Sequence, residues 1–261
     1  MQRRIVFIVL ALSGLLTGCA TLPPGERDPR DRFERTNRAV YRFNDGLDRH
    51  IARPLAKGYV KVTPRPVRTG VSNFFQNLFY PTVIVNDLLQ GKLKSFGGDT
   101  ARLVVNTTLG IGGLFDPATQ MGLPAGDEDF GQTLGKWGVP TGPYVVLPLI
   151  GPSNVRDTVG FAGDWFTDPK NYVRNNYVSL GLTGMSLLDL RAELLATDDV
   201  LARAYDPYVF VRNAYLQRRE FQVKDGAPAD DVEIFEEEDS AGATPPDVPA
   251  TPATAEAAPA Q

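Results

Sequence analysis

Hydrophobic and polar positions alternate with helical spacing along most of the chain, and the first clear case is residues 31–54. With successive residues placed 100° apart, the apolar side chains of this segment gather on one face and the arginines point elsewhere. The apolar face is formed by Phe33, Val40, Leu47 and Ile51. The spacing predicts an amphipathic helix from about residue 31, and Pro54 is expected to end it because proline has no amide hydrogen to donate.

A second segment, residues 67–96, is apolar almost all round. A helix without a polar face is either buried in protein or in contact with lipid. Pro81 is expected to divide the segment into two helices. The candidate lipid-facing residues are Phe74, Phe75, Phe79 and Val83. Ordinary core packing is the alternative for all four.

Further helical patterns follow at residues 100–109, 153–166, 173–196 and 206–221, and the last opens with Asp206 as N-cap and Pro207 in the first turn. Residues 130–152 are rich in glycine and proline, which predicts turns and a short extended pair around residues 144–147. The predicted fold class is therefore mainly α, with a hairpin-like Gly/Pro-rich loop.

The charge is divided unevenly between body and tail. Residues 19–224 hold 25 Lys and Arg against 21 Asp and Glu, whereas residues 225–261 hold ten acids and no basic residue. A mildly basic body suits anionic headgroups but lacks the dense basic stripe of a nucleic-acid binder. The acidic, Pro- and Ala-rich segment 225–261 is predicted to be disordered, because it has too few apolar groups to offset the ordering entropy. A docking segment for a basic partner is the alternative.

The amino terminus has the pattern of a secretory signal. Arg3 and Arg4 precede a mostly apolar run at residues 5–16, which is too short to span a bilayer, and Gly18 precedes Cys19, the only cysteine. The order Leu-Thr-Gly-Cys resembles the lipobox of bacterial lipoproteins, which implies cleavage after residue 18 and acylation of Cys19. Residues 19–30 then form a lipidated tether. A plain secretory signal with an incidental cysteine is the alternative.

Catalytic and metal-binding patterns are scarce. His50 is the only histidine, so neither a zinc site nor a Ser-His-Asp triad can be assembled convincingly. The nearest approach to a nucleophile elbow, residues 184–188, lacks its second glycine. The glycines at 110–113 follow a predicted helix rather than opening one, which favours a C-terminal turn over a phosphate loop. We therefore expect no enzyme activity, no metal and no cofactor.

Five ordered blocks of the sequence resemble the MlaA (VacJ) family of Gram-negative outer-membrane lipoproteins. The blocks are residues 33–54, 70–92, 102–116, 129–157 and 206–221. The likeness covers nearly all of residues 31–222 and follows the lipobox. It implies a signal peptide at 1–18, a tether at 19–30 and a helical family domain at 31–224; the tail at 225–261 departs from the family.

The resemblance implies a ring of amphipathic and lipid-facing helices in the inner leaflet of the outer membrane, around a central channel. Such a protein removes phospholipid misplaced in the outer leaflet, passes it to a soluble periplasmic carrier and commonly sits beside a trimeric porin. By position in the family blocks, Asn37 and Asn44 line or support the channel. The loop bordering the channel contains Gly138, Gly142, Pro143 and Tyr144.

Several alternatives remain open from the residues. Asn37 and Asn44 also suit a local cap or an inter-helix hydrogen bond, and the loop glycines an ordinary turn. Arg102, Arg156 and Lys170 are candidates for attracting phosphate, with solvated surface charge as the alternative. For the whole protein, the rivals are a non-catalytic structural tether and a lipase or esterase, of which the second lacks a convincing nucleophile.

Overall fold

The computed structural model of the protein describes residues 28–226. The predicted signal peptide, Cys19, most of the tether and nearly all of the acidic tail lie outside the described residues. The helices are α1 (Glu34–Leu47), α2 (Arg53–Val62), α3 (Arg65–Leu89), α4 (Leu93–Thr108), α5 (Pro117–Gln120), α6 (Phe130–Lys136), α7 (Val155–Thr167), α8 (Asn176–Glu193), α9 (Asp198–Arg203) and α10 (Pro207–Val223). The strands are β1 (Tyr144–Leu147) and β2 (Gly151–Asn154). The described part of the chain is mainly helical, as predicted.

Three local signals, at the start of α10, in the hairpin and after α4, are confirmed. Asp206 accepts hydrogen bonds from the amides of Tyr208 and Val209 at the start of α10, and Pro207 occupies the first turn. The predicted extended pair is an antiparallel hairpin, in which Tyr144 lies opposite Asn154. The glycines at 110–113 form the turn after α4.

Pro54 does not end the first helix, contrary to the prediction. A π-helical turn, Asp48–Ala52, follows α1, and the amide of Arg53 donates to the carbonyl of Asp48, five residues back. Helix α2 then begins at Arg53 with Pro54 in its first turn. The wider π-helical turn changes the hydrogen-bond register just before the proline, so the helical path continues through it.

Pro81 likewise fails to divide the second segment, because α3 is one helix of 25 residues with the proline inside. Tyr80 and Thr82, on either side of it, are buried against other elements. We attribute the survival of the helix to this tertiary packing, which offsets the missing backbone hydrogen bond.

The contacts between elements form a closed circuit. Helix α1 contacts strand β1; the hairpin contacts α10 through β2; α10 contacts α6; α6 contacts α7; and α7 contacts α3. Helix α3 contacts α8, and α8 contacts α2, which continues from α1 through the π-helical turn. Helix α4 packs on α3 and carries α5. Elements distant in sequence therefore close the fold without one central helix.

Burial of side chains is inverted relative to an ordinary water-soluble domain. Among residues 28–226, eight hydrophobic residues are buried, whereas eighteen polar or charged residues are. In the same range, 36 large hydrophobic residues are exposed, among them Trp165, Phe166 and Leu180. Apolar exposure on this scale is typical of a surface that contacts lipid or protein. No helix in the described range is both long enough and apolar enough to cross a membrane.

Candidate functional site

The candidate site centres on the hairpin, residues 144–154, and on helix α1 beside it. Asn37 is buried, and its Nδ2 donates to the carbonyl of Tyr144 at 3.0 Å while its Oδ1 accepts from the amide of Val146 at 2.9 Å. The same Nδ2 also donates to Asp31 Oδ1 at 2.8 Å. The carboxamide therefore pairs with the free edge of β1 much as a neighbouring strand would, which satisfies backbone groups that burial would otherwise leave unpaired.

Asn44 repeats this arrangement two helical turns further along α1. Its Nδ2 donates to the carbonyl of Leu147 at 2.9 Å, and its Oδ1 accepts from the amide of Leu149 at 2.9 Å. Residues seven apart lie on one face of a helix. The two asparagines thus fasten both ends of β1 to α1. Their geometry is that of supports for the hairpin.

The loop glycines have geometric roles at the base of the hairpin. Gly142 has φ +69°, and a Cβ there would lie 3.1 Å from Cβ of Val155, while Gly138 has φ +89° in open surroundings. The carbonyl of Pro143 accepts from the amide of Val155 at 3.1 Å. Positive φ is inexpensive only for glycine, so these positions fix the entry of the chain into β1.

Tyr144 belongs to the protein core instead of the loop surface. Its side chain is fully buried, and its ring packs edge-on against Tyr208 with centroids 6.3 Å apart. Burial and the nearby Asp31 carboxylate raise the pKa of its phenol. It anchors β1 in a cluster of buried residues with Val146, Tyr208 and Leu216.

The tip of the hairpin is the exposed part of the site. Leu149 has φ +68° and exposes 68% of its surface, and Ile150 exposes 63%. A leucine in the left-handed region carries strain of about 1–2 kcal/mol. A strained, exposed apolar tip on a firmly held base is the pattern expected where function, and not stability, selects the residues.

A buried ionic cluster joins the segment before α1 to helix α10. The carboxylate of Asp31 accepts from Asn37, from Arg212 Nη1 at 3.2 Å and from the hydroxyl of Tyr208. Arg38 lies 4.4 Å above the Tyr208 ring. This cluster ties the segment before α1 to the last described helix.

A second cluster ties α10 to α6 and α7. Arg219 donates to Asp157 Oδ2 at 2.7 Å and to both carboxylate oxygens of Asp129, at 2.6 and 2.9 Å. Asp157 also accepts from the hydroxyl of Tyr215 at 2.7 Å. Burial alone would raise the pKa of Asp157, but the hydrogen bonds and charge of Arg219 lower it overall.

Sequence reasoning did not single out these clusters. The seven-residue spacing of Arg212 and Arg219 was the one signal available, since it places both guanidinium groups on one face of α10. Their carboxylate partners lie 62 to 181 positions away in sequence. No local pattern could have identified those partners.

The three phosphate candidates are occupied by other contacts, so that expectation is wrong for them. Arg102 is 3% exposed and pairs with Asp116 at 2.5 Å. Arg156 is buried and pairs with Asp157 at 2.9 Å. The ammonium of Lys170 lies 4.3 Å above the ring of Phe79, and its side chain is 12% exposed.

The structure also revises which part of α3 faces outward. Phe75 is 6% exposed and contacts Phe74, so it is a core residue and not lipid-facing. Phe74, Phe79 and Val83 are half-buried. The exposed apolar side chains of α3 are Val67, Val85, Leu88 and Leu89, and its buried face contains Asn77, Thr82, Asn86 and Asp87. Towards its C-terminal end, over residues 82–89, helix α3 therefore buries polar side chains and exposes apolar ones.

The candidate catalytic groups do not converge. The Nδ1 of His50 lies 2.7 Å from the carbonyl of Gly46 in its own helix, and Ser186 donates to the carbonyl of Thr183 inside α8. Within residues 28–226, no group of three or more His, Cys, Asp or Glu side chains is arranged to hold a metal ion. The geometry thus gives no support to the lipase alternative.

Comparison with known families agrees with this architecture. Residues 29–222 match the model of the MlaA lipoprotein family, which covers most of the chain and all but a few of the described residues. The chain belongs to the MlaA lipoprotein family.

Two relatives have names that state a function, and one solved structure is similar to this chain. The chain is 37% identical over 233 residues to the intermembrane phospholipid transport system lipoprotein MlaA of Escherichia coli (strain K12), covering 87% of this chain and 91% of that protein. The Haemophilus influenzae protein of the same name is 32% identical over 242 residues, covering 87% and 93%. A solved structure, described as the structural basis for maintenance of bacterial outer membrane lipid asymmetry, matches with a TM-score of 0.67 at 37% identity, covering 76% of this chain and all of that one.

Proposed function

We propose that this protein is an outer-membrane lipoprotein that removes mislocalised phospholipid from the outer leaflet and passes it to a periplasmic carrier, without catalysing a reaction. In this proposal Cys19 carries the lipid anchor, and the body faces the periplasm beside a trimeric porin. The observation that carries the proposal is the inverted burial of a chain in this family: polar groups inside, apolar side chains outside.

Inverted burial suits a protein embedded in one leaflet. Moving an ionised headgroup through hydrocarbon costs several kcal/mol or more, so a lipid can cross only where polar groups replace water. Helices with apolar outer faces and polar inner faces offer both environments side by side. The closed circuit of contacts among α1, α2, α8, α3, α7, α6, α10 and the hairpin supports a ring around a central channel.

The hairpin is proposed to border that channel and to control access to it. Asn37 and Asn44 fix its base, while Leu149 and Ile150 form an exposed apolar tip. An apolar tip at the leaflet boundary would contact acyl chains of the passing lipid.

The anchor-free protein tests the proposal. Cys19→Ala, expressed without the signal peptide, is extracted with and without detergent and analysed for co-purifying phospholipid. We expect it to require detergent and to carry lipid, because the outer face of the body is apolar without any acyl chain. A soluble, monomeric, lipid-free protein would contradict the proposal and make the structural tether the leading hypothesis.

A matched pair of variants examines the outer face of α3. Leu88 is 52% exposed, so Leu88→Glu should weaken membrane association, whereas Leu88→Ala should preserve it. Equal membrane association of the two variants in a vesicle flotation assay would remove α3 from the lipid-facing surface.

A further inference from the structure

A large cavity lies away from the hairpin, between the α3–α4 turn, the segment 122–128 and the end of α10. Its volume is about 990 Å³, at the upper end of the range of small-molecule sites. Two carboxyl groups with little or no solvent exposure, Asp87 on α3 and Asp99 on α4, line it. Asn37, Asn44, Gly138 and Gly142 do not line this cavity, so it is separate from the hairpin site.

The acid at the floor of the cavity lacks a partner. Asp87 is 0% exposed, and neither of its carboxylate oxygens accepts a hydrogen bond from any described donor. Its close polar neighbour is the carboxyl group of Asp99, which is itself an acceptor and already binds the amide of Gly126 at 3.2 Å. A buried acceptor facing another acceptor is unfavourable unless a cation or a proton lies between them.

The surrounding charges are arranged by depth. Lys92, at the α3–α4 turn, is engaged by Glu128 at 2.7 Å and by Asp225. Lys94 and Arg218 line the same cavity but are exposed, and the guanidinium of Arg218 lies 3.9 Å from the carboxylate of Asp127. The cavity therefore has an unpaired acid at its floor, and at its mouth it has the accessible cations Lys94 and Arg218 together with the exposed acid Asp127.

This distribution of charge matches a zwitterion with its cation inward. Apolar residues also line the cavity, among them Leu123, Pro124 and Phe221, and they suit the hydrocarbon part of a ligand. We propose that the cavity binds a phosphate-linked primary amine, the ethanolamine type of phospholipid headgroup, with the ammonium between Asp87 and Asp99 and the phosphate at Lys94 and Arg218. This inference rests on the proposed function, since it names the class of lipid that the transporter recognises.

Other cations fit less well. Within residues 28–226 no group of three or more metal-ligating side chains converges, whereas a primary ammonium donates three hydrogen bonds and needs only two or three acceptors. A quaternary ammonium donates none and cannot satisfy the carboxylate oxygens. A primary ammonium is therefore favoured over a divalent metal or a choline group.

The floor carboxyl should make binding depend on pH. Burial, together with hydrogen bonding and charge from Asp99 and the charge of Glu128, raises the pKa of Asp87 to about 7, and Lys92 opposes the rise. Tyr80 also faces Asp99 but stays neutral, because burial raises the pKa of its phenol to about 12. Ammonium binding requires loss of the proton, so affinity should rise about tenfold between pH 6 and pH 8.

Calorimetric titration of the full-length protein in detergent tests the site with three soluble probes: glycerophosphoethanolamine, glycerophosphoglycerol and ethanolamine. We expect glycerophosphoethanolamine to bind at least tenfold more tightly than either of the others, because only it offers both charges. Equal affinity for glycerophosphoethanolamine and glycerophosphoglycerol would overturn the proposal, as would the absence of binding at every pH, which would leave a proton as the only occupant.

Variants then locate the binding groups. Asp87→Asn keeps the size of the side chain and should weaken glycerophosphoethanolamine binding at least tenfold and remove its pH dependence. Asp199→Asn, an exposed acid on α9 outside the cavity, is the matched control and should bind as the native protein does. Unchanged affinity of Asp87→Asn would overturn the proposal. Lys94→Gln, at the exposed mouth, provides a second variant that should fold normally and lose affinity for both glycerophosphate probes.

Lipid analysis separates this inference from the proposed function. Phospholipids co-purifying with native protein and with Asp87→Asn are compared by headgroup, and ethanolamine lipid in nanodiscs is competed with soluble glycerophosphoethanolamine. Lipid enriched in ethanolamine headgroups only in the native protein supports the site. Lipid without headgroup preference overturns the site and leaves the proposed function standing, whereas native protein without lipid overturns both. If the protein binds soluble glycerophosphoethanolamine but does not bind nanodiscs that contain ethanolamine lipid, the ligand is a free phosphate ester, and the proposal of a lipid headgroup is overturned.

Discussion

The base of the hairpin and the acidic cavity are both polar and both buried, yet they solve the problem of burial differently. At the hairpin, Asn37 and Asn44 meet donors and acceptors of β1, and Arg219 meets two carboxylates. In the cavity, Asp87 faces Asp99 with no described donor between them. The comparison teaches that polar burial by itself does not mark a binding site: the paired asparagines and Arg219 hold the fold, whereas the unpaired carboxyl group of Asp87 is the candidate for binding a ligand.

The largest effect on stability should come from breaking the ionic cluster around Arg219. Arg219→Met removes the cation that Asp157 and Asp129 share. Asp157, which is 4% exposed, keeps Arg156 as an ion-pair partner but loses the charge-assisted hydrogen bond from Arg219, and Asp129 loses both of its hydrogen bonds from Arg219, so the free energy of unfolding should fall by about 3–5 kcal/mol. Denaturant unfolding in detergent measures this change. Arg218→Met is the control, since its side chain is 74% exposed and its loss should change stability by less than about 0.5 kcal/mol. Similar losses for the two variants would mean that the ionic cluster does not hold α10.

The unpaired carboxyl group of Asp87 should make the free energy of unfolding depend on pH. Because folding raises the pKa of Asp87 from its ordinary value to about 7, the native state keeps a proton that the unfolded state has lost. Its contribution to stability is therefore complete at acidic pH and is lost as pH rises from about 4 to about 7, by about 1.4 kcal/mol per pH unit at most.

The measurement is the difference in unfolding free energy between native protein and Asp87→Asn across pH 4–8. We expect the difference to shift in favour of Asp87→Asn as pH rises, by about 2–4 kcal/mol in total. Taking the difference cancels the other carboxylates, whose lowered pKa values act in the opposite direction. Parallel pH profiles would show that Asp87 is ionised in the folded protein.

A smaller loss of stability is expected when either of the asparagines that bind β1 is replaced. Asn37→Leu leaves the amide of Val146 and the carbonyl of Tyr144 unpaired in a buried place, which should reduce stability by about 2–3 kcal/mol. Amide hydrogen exchange should speed up at Val146 in particular. Asn44→Leu should have a lesser effect, because Asn44 is only half-buried and water can replace its hydrogen bonds. An equal effect of both would mean that burial does not set the strength of these hydrogen bonds.

The smallest effect, a stabilising one, is expected at the hairpin tip. Leu149→Gly relieves the strain of a positive φ and should raise the free energy of unfolding by about 1 kcal/mol. It also removes an exposed apolar side chain, so phospholipid transfer between vesicles should slow if the tip contacts acyl chains. Leu93→Gly, at an exposed leucine that begins α4, controls for general loss of apolar surface. Unchanged transfer with increased stability would assign the tip a purely structural role.

Much of the fold could be predicted because its signals are local. Asp206 and Pro207 begin α10, glycines end α4, and the Gly/Pro-rich stretch forms the hairpin, each from a few neighbouring residues. The predictions that failed are those in which tertiary packing overrides a local preference. Pro54 and Pro81 lie in continuing helices, because a π-helical turn and buried neighbours offset what proline removes.

The candidate site could be predicted only in part. The family resemblance singled out Asn37 and Asn44, but their partners in the hairpin lie more than 100 residues away in sequence. The sequence showed that the segment of α3 is apolar, but it did not show that Phe75 is buried in the core or that Leu88 is exposed. Periodicity describes which side chains share a face and does not say what that face meets.

The sequence by itself determined the helical class, the start of the last helix, the hairpin and the family, because caps, turns and periodicity act over a few residues and family likeness is read from residue order. Only the tertiary structure decided that Asn37 would serve the edge of β1, that Arg219 would join two carboxylates, and that Asp87 would meet Asp99. The physical reason is range: burial, pairing and pKa depend on groups brought together by packing, and chain order leaves those encounters open.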